Sequence, residues 1–285
     1  MSLLVLRFAA FFYAGAVTAY VLYFARPRHQ ALATVGQWLL AVAFLVQAAA
    51  IGLGCKEYGG AEFFGLRGGL VFMTWLAAGA SLVVQRLYRI PAVGAFVTPL
   101  ILVVLLPTLF LVKPDFPEVL PDAVRRPMLT VHIVTALLGV SVFAIASLVA
   151  LMYLLQEREV KGKRFGALFS RLPSLAALDQ LNQRLVRVGF VVYTVALLTG
   201  SGMAKVVWKS AWQWDPQQVS SLVIWILYAA MVQLRHTGWH GRRYALLTLA
   251  VFVLVLGSMV SLKTVPGITR HAGDYGMTPP AGGAQ

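Results

Sequence analysis

The sequence has little charge and almost no cysteine. Only 12% of its 285 residues are charged, about half the fraction usual for a soluble domain. Its one cysteine, Cys55, cannot form an internal disulfide or a C-x-x-C pair, so the chain is not itself a dithiol oxidoreductase. The sequence also contains no phosphate-binding loop and no segment that reads as a soluble domain. These absences argue against a soluble redox or nucleotide-binding enzyme.

Hydrophobic residues make up 59% of the chain and are concentrated in eight runs. A helix needs about 20 apolar residues to cross a bilayer, so we predict an all-α polytopic membrane protein with about eight transmembrane helices. The seventh run is short, and its helix is expected to begin at Pro216 and end near Arg235. The predicted spans are Leu4–Ala25, Leu32–Leu53, Leu66–Gln85, Ala92–Val112, Met128–Leu155, Leu185–Val207, Val219–Leu234 and Tyr244–Leu262.

The formal net charge of +14 would suggest a nucleic-acid partner in a soluble protein. Here the basic residues lie mostly in short loops between apolar runs, so membrane topology explains them better and no nucleic acid is expected. Of the 24 Lys and Arg residues, 14 lie in every second connection between the apolar runs, counted from the first. Since basic loops stay inside, we predict that both termini lie outside the membrane. The predicted inside loops are 26–31, 86–91, 156–187 and 235–243.

The longest polar connection contains leucines at helical spacing with arginines beside them. This pattern over Pro173–Arg187 predicts an amphipathic helix lying at the inner membrane surface. The leucines are Leu175, Leu178, Leu181 and Leu185.

A tryptophan-rich stretch lies between the sixth and seventh runs, on the predicted outside. It places Trp208, Trp212 and Trp214 within seven residues, followed directly by Asp215 and Pro216. Asp215 fits the N-cap and Pro216 the first position of the next helix. The three indole rings would then form an apolar shelf where that helix begins. The alternative is an ordinary belt of tryptophans at the membrane interface.

Two of the five histidines lie on the same predicted side as this shelf. His132 falls about 7 Å into the fifth span, where an ionisable residue is a functional candidate. His271 follows the last span. Imidazole ligates haem iron and Trp faces suit a flat apolar macrocycle, so the pair predicts a haem site. The alternatives are a hydrogen-bonded interfacial His132 and a solvated His271, while His236 and His240 are expected in an inner loop.

The stretch 208–216, followed by 223–228, resembles the WWD motif of the cytochrome c assembly family, which includes CcsA-type and HemX-like proteins. In CcsA-type members, haem is held at the outer face by two histidines, for which His132 and His271 are the matching residues. The resemblance thus implies haem b, bound by these histidines with Trp208, Trp212, Trp214 and Asp215. It implies a bacterial plasma (inner) membrane protein that works with a ResB/CcsB-type membrane partner and apocytochrome c, at most as a subunit of a haem lyase.

The sequence departs from the CcsA pattern at two inner histidine positions, where it has Gly60 and Gln233. These departures favour the HemX-like branch, whose members are associated with haem biosynthesis through the level of glutamyl-tRNA reductase. The expected domain covers residues 1–276, of which 66–276 carry the resemblance, and 277–285 form a tail. Membrane lipid is the remaining expected partner.

Overall fold

The computed structural model describes residues 1–26, 29–58, 66–110, 127–163, 166–208, 210–212 and 214–264. Within these ranges the chain forms helices and turns and contains no strand, which confirms the all-α class. The helices are α1 (Ser2–Ala25), α2 (Ala31–Tyr58), α3 (Leu66–Tyr88), α4 (Ala92–Phe110), α5 (Pro127–Lys161), α6 (Ala167–Arg171), α7 (Leu175–Trp208), α8 (Pro216–His236) and α9 (Gly241–Thr264).

Eight of these helices, all except α6, are long and apolar enough to cross a membrane. Each corresponds to one predicted span, so the predicted number of transmembrane helices is confirmed. The seventh span begins at Pro216, as expected, and ends at His236, one residue beyond the predicted Arg235. Which end of the bundle faces the cell exterior stays a prediction, since the fold alone does not fix it.

The predicted surface helix over Pro173–Arg187 is wrong as a separate element. This segment forms the first turns of α7, which continues without a break to Trp208. Leu178, Leu181 and Leu185 are buried within the helix bundle instead of facing lipid. The helical spacing of the leucines was correct, but an apolar stripe looks the same whether it meets a membrane or another helix.

The helices pack in two groups that meet at α5. Helices α1 to α4 pack against one another, as do α5, α7, α8 and α9, and α5 also contacts α3 and α4. Helices α5 and α7 run antiparallel, because Phe143 packs on Gly189 while His132 packs on Gly200. The start of α5, the end of α7 and the start of α8 therefore lie at one end of the molecule, called the tryptophan end below.

An ion pair ties together three helices at the opposite end. The Arg235 guanidinium donates to both carboxylate oxygens of Asp179, with N···O distances of 2.6 and 2.9 Å. The backbone N–H of Gly241 also donates to Asp179 at 3.0 Å. Because the two side chains are only 8% and 15% exposed, the pair fixes the starts of α7 and α9 against the end of α8.

We expect Arg235→Ala to lower the free energy of unfolding by about 3 kcal/mol, because it leaves a largely buried carboxylate unpaired. Thermal unfolding of the detergent-purified protein, followed by far-UV circular dichroism, measures this effect. Arg243→Ala is the matched control, since Arg243 is exposed on the first turn of α9. An equal fall in the unfolding midpoint of both variants would contradict a specific role for the ion pair.

Candidate functional site

His132 is half-buried near the start of α5, and its ring orientation is fixed by α7. Its Nδ1 lies 2.8 Å from the carbonyl oxygen of Ala196. A carbonyl only accepts hydrogen bonds, so Nδ1 carries the proton, and the neutral ring then keeps its lone pair on Nε2. Histidines that ligate metals generally hold their other ring nitrogen in this way, because the bond fixes both tautomer and orientation. The His132 ring is therefore held in the tautomer that can ligate a metal centre through Nε2.

Gly200 leaves the space that the His132 ring occupies. A Cβ atom on Gly200 would lie 2.7 Å from Cε1 and 3.0 Å from Nδ1 of the ring. A real Cβ atom essentially never approaches another atom to 2.7 Å, so a side chain here would require the imidazole to move. Ala196 and Gly200 are one helical turn apart, and together they form a seat on α7 that positions His132.

The described part of the tryptophan-rich stretch exposes aromatic surface. The rings of Trp212 and Trp214 meet edge to face, with their centroids 5.8 Å apart. Trp214 is 84% exposed, although a large aromatic side chain is normally buried. The Ser210 hydroxyl donates to the Trp212 carbonyl oxygen at 2.7 Å and shapes the turn between the two helices. This segment presents an apolar surface at the tryptophan end.

Asp215 is the N-cap of α8, as predicted. Its side chain accepts a hydrogen bond from the backbone N–H of Gln217 at 3.0 Å, and Pro216 occupies the first helical position. Asp215 is only 6% exposed. Because a capped helix start has a defined backbone direction, Asp215 fixes the point from which Trp214 projects.

In the second part of the motif, 223–228, Ile224 and Tyr228 are buried in the bundle and Trp225 is half-buried, while Val223 and Ile226 are exposed. The Trp225 indole N–H donates to the Thr194 hydroxyl at 2.9 Å, which joins α8 to α7. The Tyr228 ring stacks on Phe143 with their centroids 3.4 Å apart. The motif therefore combines an exposed aromatic segment with buried residues that hold α8 against α5 and α7.

The structure brings His132, Trp212, Trp214 and Asp215 to the same end of the molecule. Trp208 is the last residue of α7, and eight residues of helix beyond Gly200 place its backbone about 12 Å further toward that end. Its side chain lies outside the described residues. His271 also lies outside them, so the second predicted ligand stays a prediction.

The other histidines of the sequence analysis lie elsewhere. His236 and His240 are exposed at the opposite end, beside the turn between α8 and α9. Gln233 is exposed on the outer surface of α8, and Gly60 falls outside the described residues. The structure thus separates His236 and His240 from His132 by the length of the bundle.

Sequence reasoning missed Ala196 and Gly200. Neither carries a functional group, since one acts through its backbone carbonyl and the other through the lack of a side chain. A glycine within an apolar span was the one available signal, and it indicates close helix packing without naming the partner.

Comparison with known proteins assigns the chain to a family. Residues 64–266 match the model of the cytochrome C assembly protein family. The cytochrome c biogenesis protein CcsA of Parasynechococcus marenigrum is 28% identical over 267 residues, covering 85% of this chain and 87% of the relative. The protein of that name from a Prochlorococcus marinus strain is 28% identical over 262 residues, covering 82% of each chain. Because the match covers more than half of the chain, the chain belongs to the cytochrome c assembly protein family.

Proposed function

We propose that the protein binds haem at the tryptophan end and presents it for attachment to apocytochrome c. The observation that carries this proposal is the fixed His132 ring, with Nδ1 donating to the Ala196 carbonyl and Nε2 left with its lone pair. His132 and His271 would be the two axial ligands. Bound haem would supply the iron that they ligate and the groups through which a cytochrome c becomes attached to it.

The residues present at the tryptophan end suit a haem chemically. A flat apolar macrocycle needs aromatic contact, which the Trp212 and Trp214 pair offers and to which Trp208 would add. Asp215 holds this aromatic platform through the N-cap of α8. Lys205, which is exposed in the last turn of α7, would pair with a propionate. We take the group to be haem b, which is bound by such ligands without a covalent link.

The charge distribution supports placing this site at the outer face of a bacterial plasma (inner) membrane. We infer that residues 1–276 act as one domain within the bilayer lipid, with 66–276 as the family part. A membrane partner of the ResB/CcsB type would present the apocytochrome, because within the described residues this chain has no folded outer domain to do so. The protein would act at most as one subunit of a haem lyase.

A HemX-like role is the second candidate function, and Gln233 is the observation that favours it. It stands where CcsA-type members have an inner histidine, and it faces away from the bundle on α8. Such a protein would affect haem biosynthesis through the level of glutamyl-tRNA reductase, without transferring haem. It would act through its basic inner face, not the tryptophan end.

Replacing the chromosomal gene with variants tests the two functions against each other. We expect His132→Ala to abolish covalent haem attachment to cytochrome c, because it removes an axial ligand, while His236→Ala leaves attachment intact. Peroxidase staining of cytochromes in denaturing gels measures attachment, and immunoblotting shows that both variants reach the membrane. A normal cytochrome level in His132→Ala, together with a changed level of glutamyl-tRNA reductase in a deletion strain, would support the HemX-like role instead.

A further inference from the structure

A cleft opens at the end opposite the tryptophan stretch, between the end of α5 and the start of α9. Its volume is about 540 Å³. Arg158 and Lys161 line it from α5 and Arg242 from α9, and Leu154 and Leu246 also line it. The two helices that form it pack together and are both long and apolar enough to span a membrane. The cleft therefore lies where the apolar layer of the bilayer meets its polar surface.

The cleft carries a net positive charge. Its lining has three basic side chains and one acid, Glu157. The Glu157 carboxylate pairs with two of the cations. Its Oε1 lies 2.7 Å from Lys161 Nζ, and its Oε2 lies 3.9 Å from Arg242 Nε. Arg158 is exposed and forms no ion pair with any residue in the described part of the chain. An anion bound here would contact an arginine whose charge is not already neutralised.

Along both helices, basic residues lie near the end of the bundle and leucines lie further inward. This arrangement suits an amphiphile, which has a charged head and an apolar tail, better than a small soluble anion. Leu154 precedes Lys161 by seven residues, about 10 Å deeper along α5. Leu246 lies one turn inward from Arg242 on α9. The cleft thus runs from guanidinium and ammonium groups at its mouth to leucine side chains inside the apolar layer. A headgroup phosphate at the mouth would leave its acyl chain along the leucines.

We propose that this cleft binds an anionic phospholipid, with the headgroup phosphate held by Arg158, Lys161 and Arg242. Arginine suits this ligand because its planar guanidinium donates two parallel hydrogen bonds to phosphate oxygens. Basic pockets between transmembrane helices on the inner side of a membrane are a general means of holding such headgroups. The basic connections of this chain lie at the same end, so the cleft faces the predicted inner leaflet. This inference does not depend on the proposed haem site.

Lipid binding to the full-length, detergent-purified protein tests the proposal. Native mass spectrometry would follow retention of phosphatidylglycerol, with phosphatidylcholine as the zwitterionic comparison of zero net charge. We expect the double variant Arg158→Gln/Arg242→Gln to bind phosphatidylglycerol at least about tenfold more weakly, because each basic group near an anionic lipid contributes roughly fivefold. Arg86→Gln removes an exposed charge from the end of α3 and should leave binding unchanged.

A variant with the opposite expected effect distinguishes the loss of a binding group from misfolding. Glu157→Gln removes the one acid of the cleft and is expected to increase phosphatidylglycerol retention, which a damaged fold would not do. Equal retention of the two lipids by the wild type would overturn the proposal, as would unchanged binding in the double variant. Complete displacement of phosphatidylglycerol by millimolar inorganic phosphate would show that the cleft holds a soluble anion instead of a lipid.

Discussion

At the proposed haem site, Gly200→Ala is expected to weaken haem binding about 10- to 100-fold, although it removes neither proposed ligand. The added Cβ would lie 2.7 Å from Cε1 of His132. The ring cannot keep its place beside the added Cβ. Its Nδ1 is bonded to the Ala196 carbonyl oxygen, which lies on the same helix as Gly200. Moving away from Gly200 breaks that hydrogen bond, which frees the ring to rotate and directs Nε2 away from its prepared position. The substitution therefore acts on the orientation of the ligand alone.

The absorbance of the Soret band during haem titration of purified protein measures this effect. Gly257→Ala is the matched control, since a Cβ at this glycine of α9 meets no atom within 4 Å. Far-UV circular dichroism should show equal helix content in the two variants. A Gly200→Ala protein that binds haem like the wild type would show that His132 does not need its seat on α7.

Gly189→Ala is expected to destabilise the protein by about 3 kcal/mol, the upper part of the range for overpacked cores. Its Cβ would lie 2.5 Å from Cε1 of Phe143, a ring with no exposed surface. Phe143 cannot retreat, because Tyr228 stacks against it with a centroid distance of 3.4 Å. The clash must therefore be relieved by separating α5 from α7, which opens the interface between these two helices.

The thermal unfolding midpoint in detergent is the measurement for this prediction. Gly52→Ala is its control, because the Cβ at Gly52 meets no atom within 4 Å and alanine favours a helix by about 1 kcal/mol over glycine. The control should therefore unfold at the same or a higher temperature. A Gly189→Ala protein as stable as Gly52→Ala would mean that α5 and α7 are less closely packed than the structure shows.

Features that depend on short segments of chain could be predicted from the sequence. The eight spans follow from runs of about 20 apolar residues, because the bilayer imposes a length that each segment meets by itself. The start of α8 at Pro216 follows from Asp215, since an N-cap bonds to backbone only two residues away. The family resemblance rests on the same kind of local signal, a cluster of tryptophans before that cap. His132 stood out because an ionisable residue within an apolar span is unusual.

The tertiary structure determines which neighbours these features contact: lipid, another helix or a particular side chain. The leucine stripe of α7 fits a membrane surface or a helix bundle equally well, and only the packing of α7 buried Leu178 and Leu181 inside. The sequence named His132 but not Ala196 or Gly200, which lie more than 60 residues away along the chain. A backbone carbonyl leaves no mark in a sequence, and a glycine indicates close packing without naming the side chain that packs on it. They act on His132 only because antiparallel packing of α5 and α7 brings them into contact with its ring.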